Sequence, residues 1–264
     1  MRILFIGDIV GRPGRAIIID KLMEIRKERG IDFVIANGEN ASGGTGIVAL
    51  NAETLFDAGV DFFTSGNHIF QNKEYEGLFE SYPQIIRPAN YPDSVPGKGF
   101  YSIGKPPITI INLIGRTFME PSDCPFKKVD QILSEISSEC RIIVVDFHAE
   151  ATSEKAAMGW YLNGRVSAVI GTHTHIQTAD EKILSEGTAY ITDVGMAGPS
   201  ESVIGVDKKA IIRRFLTGLP IRFTVAKGPA ILNAVIFDVD EKTGKASSIE
   251  RISITRKTSS GFSE

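Results

Sequence analysis

Short, uninterrupted apolar runs are the feature of this sequence that most limits its fold. Each run is bounded by Gly, Asn or Asp, and the runs cover residues 3–6, 33–36, 62–64, 108–113, 142–147 and 168–170. Hydrophobicity that is continuous rather than alternating is typical of strands buried on both faces of a sheet. We therefore expect an α/β protein in which helices cover the sheets.

Segments with helical periodicity lie between several of these runs. Ile18, Leu22 and Ile25 recur at the spacing of one helix face, and Gly30 is expected to end that helix. Further helices are predicted at residues 49–58, 73–81, 129–138 and 153–163. We expect Thr152 or Ser153 to cap the last of these helices.

The last third of the chain has a different pattern. It is rich in strand-forming residues at 180–186, 189–193, 230–238 and 247–255, with one helix predicted at 208–216. This pattern predicts a second, more antiparallel sheet, and overall an α/β/β/α sandwich of two mixed sheets flanked by helices. We expect one domain over residues 1–256 and a frayed tail at 257–264. The glycine-rich segment 193–205 is long enough to form a loop over a site.

Charge and cysteine content exclude several classes of protein. The chain has 29 Lys and Arg against 32 Asp and Glu, so no basic excess favours dedicated nucleic-acid binding. Cys124 and Cys140 are not spaced as C-x-x-C, which excludes a disulfide framework and a thiolate zinc site. The first apolar run is too short for a signal peptide or a membrane span. We therefore expect a cytoplasmic protein without a membrane partner.

Side chains that commonly bind metal ions follow five of the buried runs. In chain order they are Asp8, then Glu39 and Asn40, then Asn67 and His68, then His148, and finally His173 and His175. All four histidines of the chain belong to this set. Because the carboxyl ends of parallel strands lie along one edge of a sheet, we expect these side chains to meet in one crevice.

The types and number of these side chains favour a pair of metal ions. Ligands without sulfur suit divalent manganese, iron or zinc. The candidates exceed what one ion binds, and two ions about 3.5–4 Å apart are known to promote in-line displacement at phosphorus. His173 and His175 would share a face if the backbone there is extended, although a loop can carry the same sequence by chance.

The order of these motifs resembles the calcineurin-like metallophosphoesterase superfamily. Longer segments are similar to the YmdB-type bacterial branch, namely DIVGRPG at 8–14, NGENASGG at 37–44, SGNH at 65–68, DFHAEATSEK at 146–155, GTHTH at 171–175 and TDVGM at 192–196. Val10 stands where most of the superfamily has a histidine, and Glu39 with Asn40 stands where an aspartate usually bridges. Both departures are typical of the YmdB-like branch.

The resemblance implies a metallophosphoesterase-like sandwich with two divalent ions, iron or manganese in the first place and zinc as the alternative. It implies that one ion is held by Asp8, Glu39 and His175 with an oxygen of Asn40, and the other by Glu39, Asn67, His148 and His173. His68 is left free. After a metal-bridging hydroxide attacks phosphorus, an imidazole is well suited to protonate the departing ester oxygen. The alternative is that His68 only hydrogen-bonds a ligating carboxylate.

The resemblance also implies a small phosphodiester substrate, a 2′,3′-cyclic nucleotide that is opened to a nucleoside monophosphate. Three other functions stay open. The first is a phosphomonoesterase, which uses the same ligands; the second is a regulatory protein in which metals only stabilise the fold. The third is an RNA-degrading enzyme, although the lack of a basic excess favours small substrates. A homo-oligomer also remains open.

Overall fold

The computed structural model describes residues 1–105 and 107–256, so the tail predicted at 257–264 lies outside the described residues. The helices are α1 (Gly11–Arg29), α2 (Ala49–Asp57), α3 (Leu78–Ser81), α4 (Pro125–Glu135), α5 (Thr152–Tyr161) and α6 (Lys208–Thr217). The strands are β1 (Arg2–Ile6), β2 (Asp8–Ile9), β3 (Phe33–Asn37), β4 (Phe62–Thr64), β5 (Phe100–Gly104), β6 (Pro107–Ile114), β7 (Ile142–His148), β8 (Ala168–Thr172), β9 (Lys182–Ile183), β10 (Ala189–Ile191), β11 (Met196–Pro199), β12 (Ala230–Val239) and β13 (Ala246–Arg256).

These strands form two mixed sheets. The first sheet has the order β2-β11-β12-β1-β3-β4, with β13 paired to β12, and the second has the order β5-β6-β7-β8-β10-β9. Strands β1, β3 and β4 are parallel to one another, as are β6, β7, β8 and β10. The predicted α/β/β/α sandwich is confirmed.

Alternate side chains of each central strand face different layers. Ile3 and Phe5 of β1 belong to the core between the two sheets, where they meet Ile110 and Val144 of the second sheet. Leu4 and Ile6 belong to the core under α1 and α2, and the outer face of the second sheet packs on α4 and α5. Because both faces of these strands are covered, the runs are apolar throughout.

The prediction that the last third of the chain forms its own sheet was wrong. β12 pairs antiparallel with β1, so it lies inside the first sheet, and β10 continues the second sheet alongside β8. An apolar run shows that a strand is buried but does not identify its neighbour. Segment 180–186 contributes only Lys182–Ile183 as strand.

Three local predictions also failed. Residues 73–81 form a 3₁₀ turn and the single-turn helix α3, separated by Gly77 with a left-handed φ of 79°. Helix α5 begins after Ala151 without a side-chain cap, so neither Thr152 nor Ser153 caps it. Segment 193–205 is not a loop throughout, because β11 within it is a buried strand between β2 and β12.

The helix prediction at Gly30 was correct, since Gly30 adopts the left-handed conformation that ends α1. Within residues 1–105 and 107–256, every helix falls short of the length and apolarity that a bilayer crossing requires.

Candidate functional site

The eight side chains selected from the sequence lie at the carboxyl ends of strands in both sheets. The first sheet supplies Asp8 after β1, at the start of β2, then Glu39 and Asn40 after β3, and Asn67 and His68 after β4. The second sheet supplies His148 at the end of β7, and His173 and His175 after β8. The contacts described below join all eight in one cluster.

Two groups of three side chains are arranged so that each group could hold a metal ion. In the group of Asp8, Glu39 and His175, one ligand atom of each residue lies within 4.8 Å of the others. The same holds for Glu39, His148 and His173, so Glu39 belongs to both groups. These groups correspond to the carboxylate and imidazole members of the two ligand sets that the resemblance implies.

Three buried oxygens of the cluster support a metal site. Asp8 Oδ1, Glu39 Oε1 and Asn40 Oδ1 are buried and accept no well-aligned hydrogen bond among the described residues; only the ring nitrogens of His68 and His148 lie near Glu39 Oε1, at 3.2 and 3.3 Å. Burying an oxygen in this way costs about 1–3 kcal/mol when nothing replaces its hydrogen bond to water. Oxygens of this kind beside imidazoles are a donor set that divalent first-row metals accept. The residues present therefore fit a pair of divalent ions.

The hydrogen-bond network orients His148 toward the second group. Thr172 Oγ1 donates to Asp146 Oδ1 at 2.7 Å, so it accepts from His148 Nδ1 at 2.9 Å. His148 Nε2 then points at Asn67 Oδ1, 3.1 Å away, and at His173 Nδ1, 3.0 Å away. This assignment of the hydrogens, made from the network, leaves the lone pair of Nε2 directed into the cluster.

The electrostatic environment of the His148 ring favours a positive charge. Burial opposes the charged ring of His148, but the Glu39 and Asp8 carboxylates outweigh it and raise the pKa of His148 to about 9. Burial and the charge of His148 lower the pKa of His173 to about 3. One unit of positive charge is thus accommodated beside Glu39, and a proton or a metal ion can supply it.

His68 lies beside the two groups rather than within them. Its backbone N–H donates to Glu39 Oε2 at 3.0 Å, and its Nδ1 lies 2.8 Å from Asn40 Nδ2 and 3.2 Å from Glu39 Oε1. Burial opposes the charged ring, yet Glu39 raises the pKa of His68 above its usual value. The ring is 30% exposed and lines a cavity of about 450 Å³. His68 therefore contacts a carboxylate of the cluster and also faces the space where a substrate would bind.

His173 and His175 do not lie on extended backbone. Strand β8 ends at Thr172, and the two histidines have positive φ angles of 98° and 63°. Non-glycine residues rarely adopt such angles, and the strain persists only where surrounding contacts enforce it. The turn sends each imidazole to a different group, so the expectation of one shared strand face was wrong.

Asp193 and Lys155 hold that turn in place, and the sequence analysis gave neither a role. Asp193 Oδ2 accepts from the backbone N–H of Thr174 at 3.0 Å and from its hydroxyl at 2.8 Å. The same oxygen accepts from Lys155 Nζ at 2.6 Å, and both members of this ion pair are fully buried. The available signal was a carboxylate just after the apolar run of β10 and a lysine in the first turn of α5.

Asn37 and Asp146 connect the two sheets directly beneath the cluster. Asn37 Nδ2 donates to Asp146 Oδ2 at 3.0 Å, and Asn37 Oδ1 accepts from the backbone N–H of Glu39 at 3.1 Å. Burial raises the pKa of Asp146 to about 7. This contact places the loop that carries Glu39 against the strand that carries His148. Asn37 ends β3 and Asp146 lies two residues before the end of β7, so both were visible as polar residues near strand ends.

Gly66 explains why the cluster can be so compact. A Cβ atom at this position would meet Glu39 Oε2 and His148 Nε2, the side chains that belong to the second group. Only a glycine lets the backbone after β4 approach the cluster so closely.

Known proteins resemble this chain over nearly its whole length. A family model described as "YmdB-like protein" matches residues 4–252. A 2′,3′-cyclic-nucleotide 2′-phosphodiesterase of Bacillus subtilis is 49% identical over 257 residues, covering 96% of this chain and 97% of that protein. The crystal structure of a phosphatase from Mycoplasma pneumoniae is 37% identical with a TM-score of 0.92, covering 97% of this chain and 94% of that chain.

A more distant likeness concerns the fold alone. The calcineurin-like phosphoesterase YfkN from Bacillus subtilis has a TM-score of 0.56 at 11% identity, covering 97% of this chain and 90% of that chain. Its sandwich is the architecture described above.

Proposed function

Given that this chain belongs to the YmdB-like protein family, we propose that it hydrolyses 2′,3′-cyclic nucleotides with two divalent metal ions. Its class as an enzyme, a phosphodiesterase, follows from its 49% identity to the Bacillus subtilis phosphodiesterase over nearly the whole of both chains. The observation that carries the finer proposal is the pair of ligand groups that share Glu39 and surround buried oxygens without well-aligned hydrogen-bond partners.

The ligands follow from the two groups and their polar neighbours. We assign Asp8, Glu39 and His175, with Asn40, to one ion, and Glu39, Asn67, His148 and His173 to the other. When bound, such a pair of ions supplies an activated water and stabilises the negative charge of the phosphoryl oxygens. Iron or manganese is proposed for both positions, with zinc as the alternative, because the donors are oxygen and imidazole nitrogen.

The reaction needs one proton donor from the protein. A water molecule loses one proton as its oxygen bonds to phosphorus, one of the two P–O ester bonds of the cyclic phosphate breaks, and the released ribose oxygen takes up one proton, so the protons balance. The product is a nucleoside monophosphate. We assign the proton to His68, whose ring faces the cavity while its Nδ1 lies against Asn40 and Glu39. The contact with Glu39 favours the protonated ring that this role requires.

The test compares His68→Ala with the parent protein, both loaded with manganese. We expect the variant to keep its metal content while turnover of 2′,3′-cyclic AMP falls about 10²–10⁴-fold, the usual contribution of a general acid. Metal analysis and chromatography of the product measure the two quantities. Gln71→Ala is the matched control, since Gln71 lines the same cavity without an ionisable group.

Three results would contradict the proposal. Equal turnover in His68→Ala and the parent would remove His68 from the mechanism. A metal-loaded parent that hydrolyses p-nitrophenyl phosphate faster than bis-p-nitrophenyl phosphate would indicate a phosphomonoesterase, and a parent without turnover would indicate a regulatory protein.

A further inference from the structure

The cavity next to the metal ligands has two chemically different sides. Glu39, Asn40, His68, His173 and His175 form its polar side. Five apolar residues also line the cavity and form what we call the apolar wall: Val10, Ile204, Val206, Phe223 and Val225. At about 450 Å³ the cavity is in the range of sites for small organic ligands, so it accommodates far more than a phosphoryl group.

The backbone of the apolar wall is fixed by hydrogen bonds between two segments. Residues 203 and 206 bond to each other in both directions, at 2.9 and 3.0 Å. The amide of Asp207 donates to Thr224 O at 3.0 Å, and the amide of Ala226 donates to Gly205 O at 2.9 Å. The two segments that carry Ile204 and Phe223 therefore form one paired unit beside the metal ligands.

Ile204 joins this unit to the metal ligands. Its carbonyl oxygen accepts a hydrogen bond from His175 Nδ1 at 2.8 Å, which leaves His175 Nε2 for the group that contains Asp8. Ile204 is β-branched and yet has a φ of 46°, a strained conformation for such a residue. The strained backbone brings the carbonyl to His175 while the side chain stays 45% exposed at the cavity.

Phe223 gives the wall an aromatic surface. Its side chain is 48% exposed, although large apolar side chains are usually buried where the fold allows it. The guanidinium carbon of Arg214 lies 4.9 Å from the ring centroid, a cation–π contact that orients the ring and places positive charge near the cavity. Exposed aromatic rings beside phosphate-binding groups serve as stacking surfaces for nucleic-acid bases.

We propose that the apolar wall is the subsite for the nucleobase of the substrate, with Phe223 as its stacking surface. This inference rests on the function proposed above, which puts the cyclic phosphate at the polar side of the cavity. The ribose then directs the base toward the wall. Because none of the wall's five side chains carries a hydrogen-bonding group, the wall accepts purines and pyrimidines, and binds the larger purine ring more tightly.

The test uses one substrate pair with and without a base. The substrates are 2′,3′-cyclic AMP and methyl β-D-ribofuranoside 2,3-cyclic phosphate, which has the same cyclic phosphate and sugar. We expect Phe223→Ala to raise the KM for cyclic AMP about tenfold more than the KM for the methyl riboside, because it removes the base-stacking surface. Phe223→Tyr keeps the ring and should restore the preference for the base.

Phe215→Ala is the matched control, because Phe215 lies on α6 and is 83% exposed, outside the lining of the cavity. It should leave the substrate preference of the parent unchanged. Equal effects of Phe223→Ala on both substrates, or no effect on either, would overturn the proposal.

A binding measurement separates this inference from the proposed function. Calorimetry with adenosine 3′-monophosphate and with methyl riboside 3-phosphate needs no turnover. If the parent hydrolyses no cyclic nucleotide, the proposed function fails. A base-dependent affinity that Phe223→Ala removes would still support the subsite, and affinities that are equal for the two phosphates would refute it.

Discussion

The two sheets contribute different kinds of ligand to the candidate metal site. The first sheet supplies oxygens, from Asp8, Glu39 and the amides of Asn40 and Asn67. The second sheet supplies the ring nitrogens of His148, His173 and His175. The site therefore exists only where the two sheets meet, and neither sheet alone provides a complete ligand group.

We call the ligands from the first sheet the oxygen side and those from the second sheet the nitrogen side. The protein holds these two sides in different ways. On the first sheet, one oxygen each of Asp8, Glu39 and Asn40 is buried and accepts no well-aligned hydrogen bond among the described residues, whereas on the second sheet named protein groups hold two imidazoles and the turn between the histidines. His148 is held by Thr172, His175 by the carbonyl of Ile204, and the turn between His173 and His175 by Asp193. The oxygen side thus supplies charge that a cation must balance, and the nitrogen side supplies orientation.

Glu39→Gln should have the largest effect, because Glu39 is the residue common to both ligand groups. We expect loss of both ions and a fall in turnover of at least about 10⁴-fold, the upper end of what one general acid contributes. Metal analysis and hydrolysis of cyclic AMP measure these effects.

The thermal stability of Glu39→Gln, measured with and without manganese, is a second test of whether Glu39 binds the ions. Glu39 raises the pKa of the buried His148, so replacing its charge removes a stabilising contact and should lower the Tm of the metal-free protein below that of the metal-free parent. Added manganese should then raise the Tm of the parent but not that of the variant, because a bound ion stabilises only the state that binds it. A variant that keeps two ions would show that the oxygen side is not the source of the charge.

The oxygen side was the easier half to predict from sequence. Asp8, Glu39 and Asn67 follow apolar runs that are buried on both faces, and parallel pairing puts the ends of such strands at one edge. The sandwich follows from the same runs, because strands covered on both sides need two further layers. The order of the strands could not be obtained, since β12 pairs with β1 across more than two hundred residues of chain.

The nitrogen side shows what sequence patterns leave out. The spacing of His173 and His175 is compatible with a strand face, yet both residues adopt positive φ angles that no residue type in the motif requires. Their conformation comes from Asp193, which is distant in the pattern and close in space. Likewise, the sequence around Ile204 indicates only a loop or a core position. It gives no sign that the backbone carbonyl of Ile204 orients His175.

Asp193→Asn should have an intermediate effect and act on the nitrogen side alone. The change weakens the acceptor for Thr174 and leaves the buried Lys155 without a charged partner. Loss of such a supporting contact typically costs about 10–100-fold in metal affinity or activity. We expect weaker manganese binding, measured by competition with a chelator, and turnover that recovers at saturating manganese.

Asp180→Asn is the matched control for Asp193→Asn. Asp180 accepts hydrogen bonds from Thr178 and Thr192 in the same region but has none to Thr174. It should leave manganese affinity unchanged. If both variants lose affinity equally, a general loss of local structure explains the result, and the specific role of Asp193 is refuted.

Thr172→Val should have the smallest effect of the three, near the lower end of the 10–100-fold range for supporting contacts. Valine keeps the shape of threonine but cannot accept from His148 Nδ1 or donate to Asp146, so the imidazole loses its fixed orientation while remaining in place. Thr172→Ser keeps the hydroxyl and should retain the affinity of the parent.

Because only the second ligand group contains His148, manganese titration of Thr172→Val should show one weakened and one unchanged binding step. Two equally weakened steps would mean that the two ligand groups are not oriented independently. The separate roles of the oxygen side and the nitrogen side would then not be reflected in how the two ions bind.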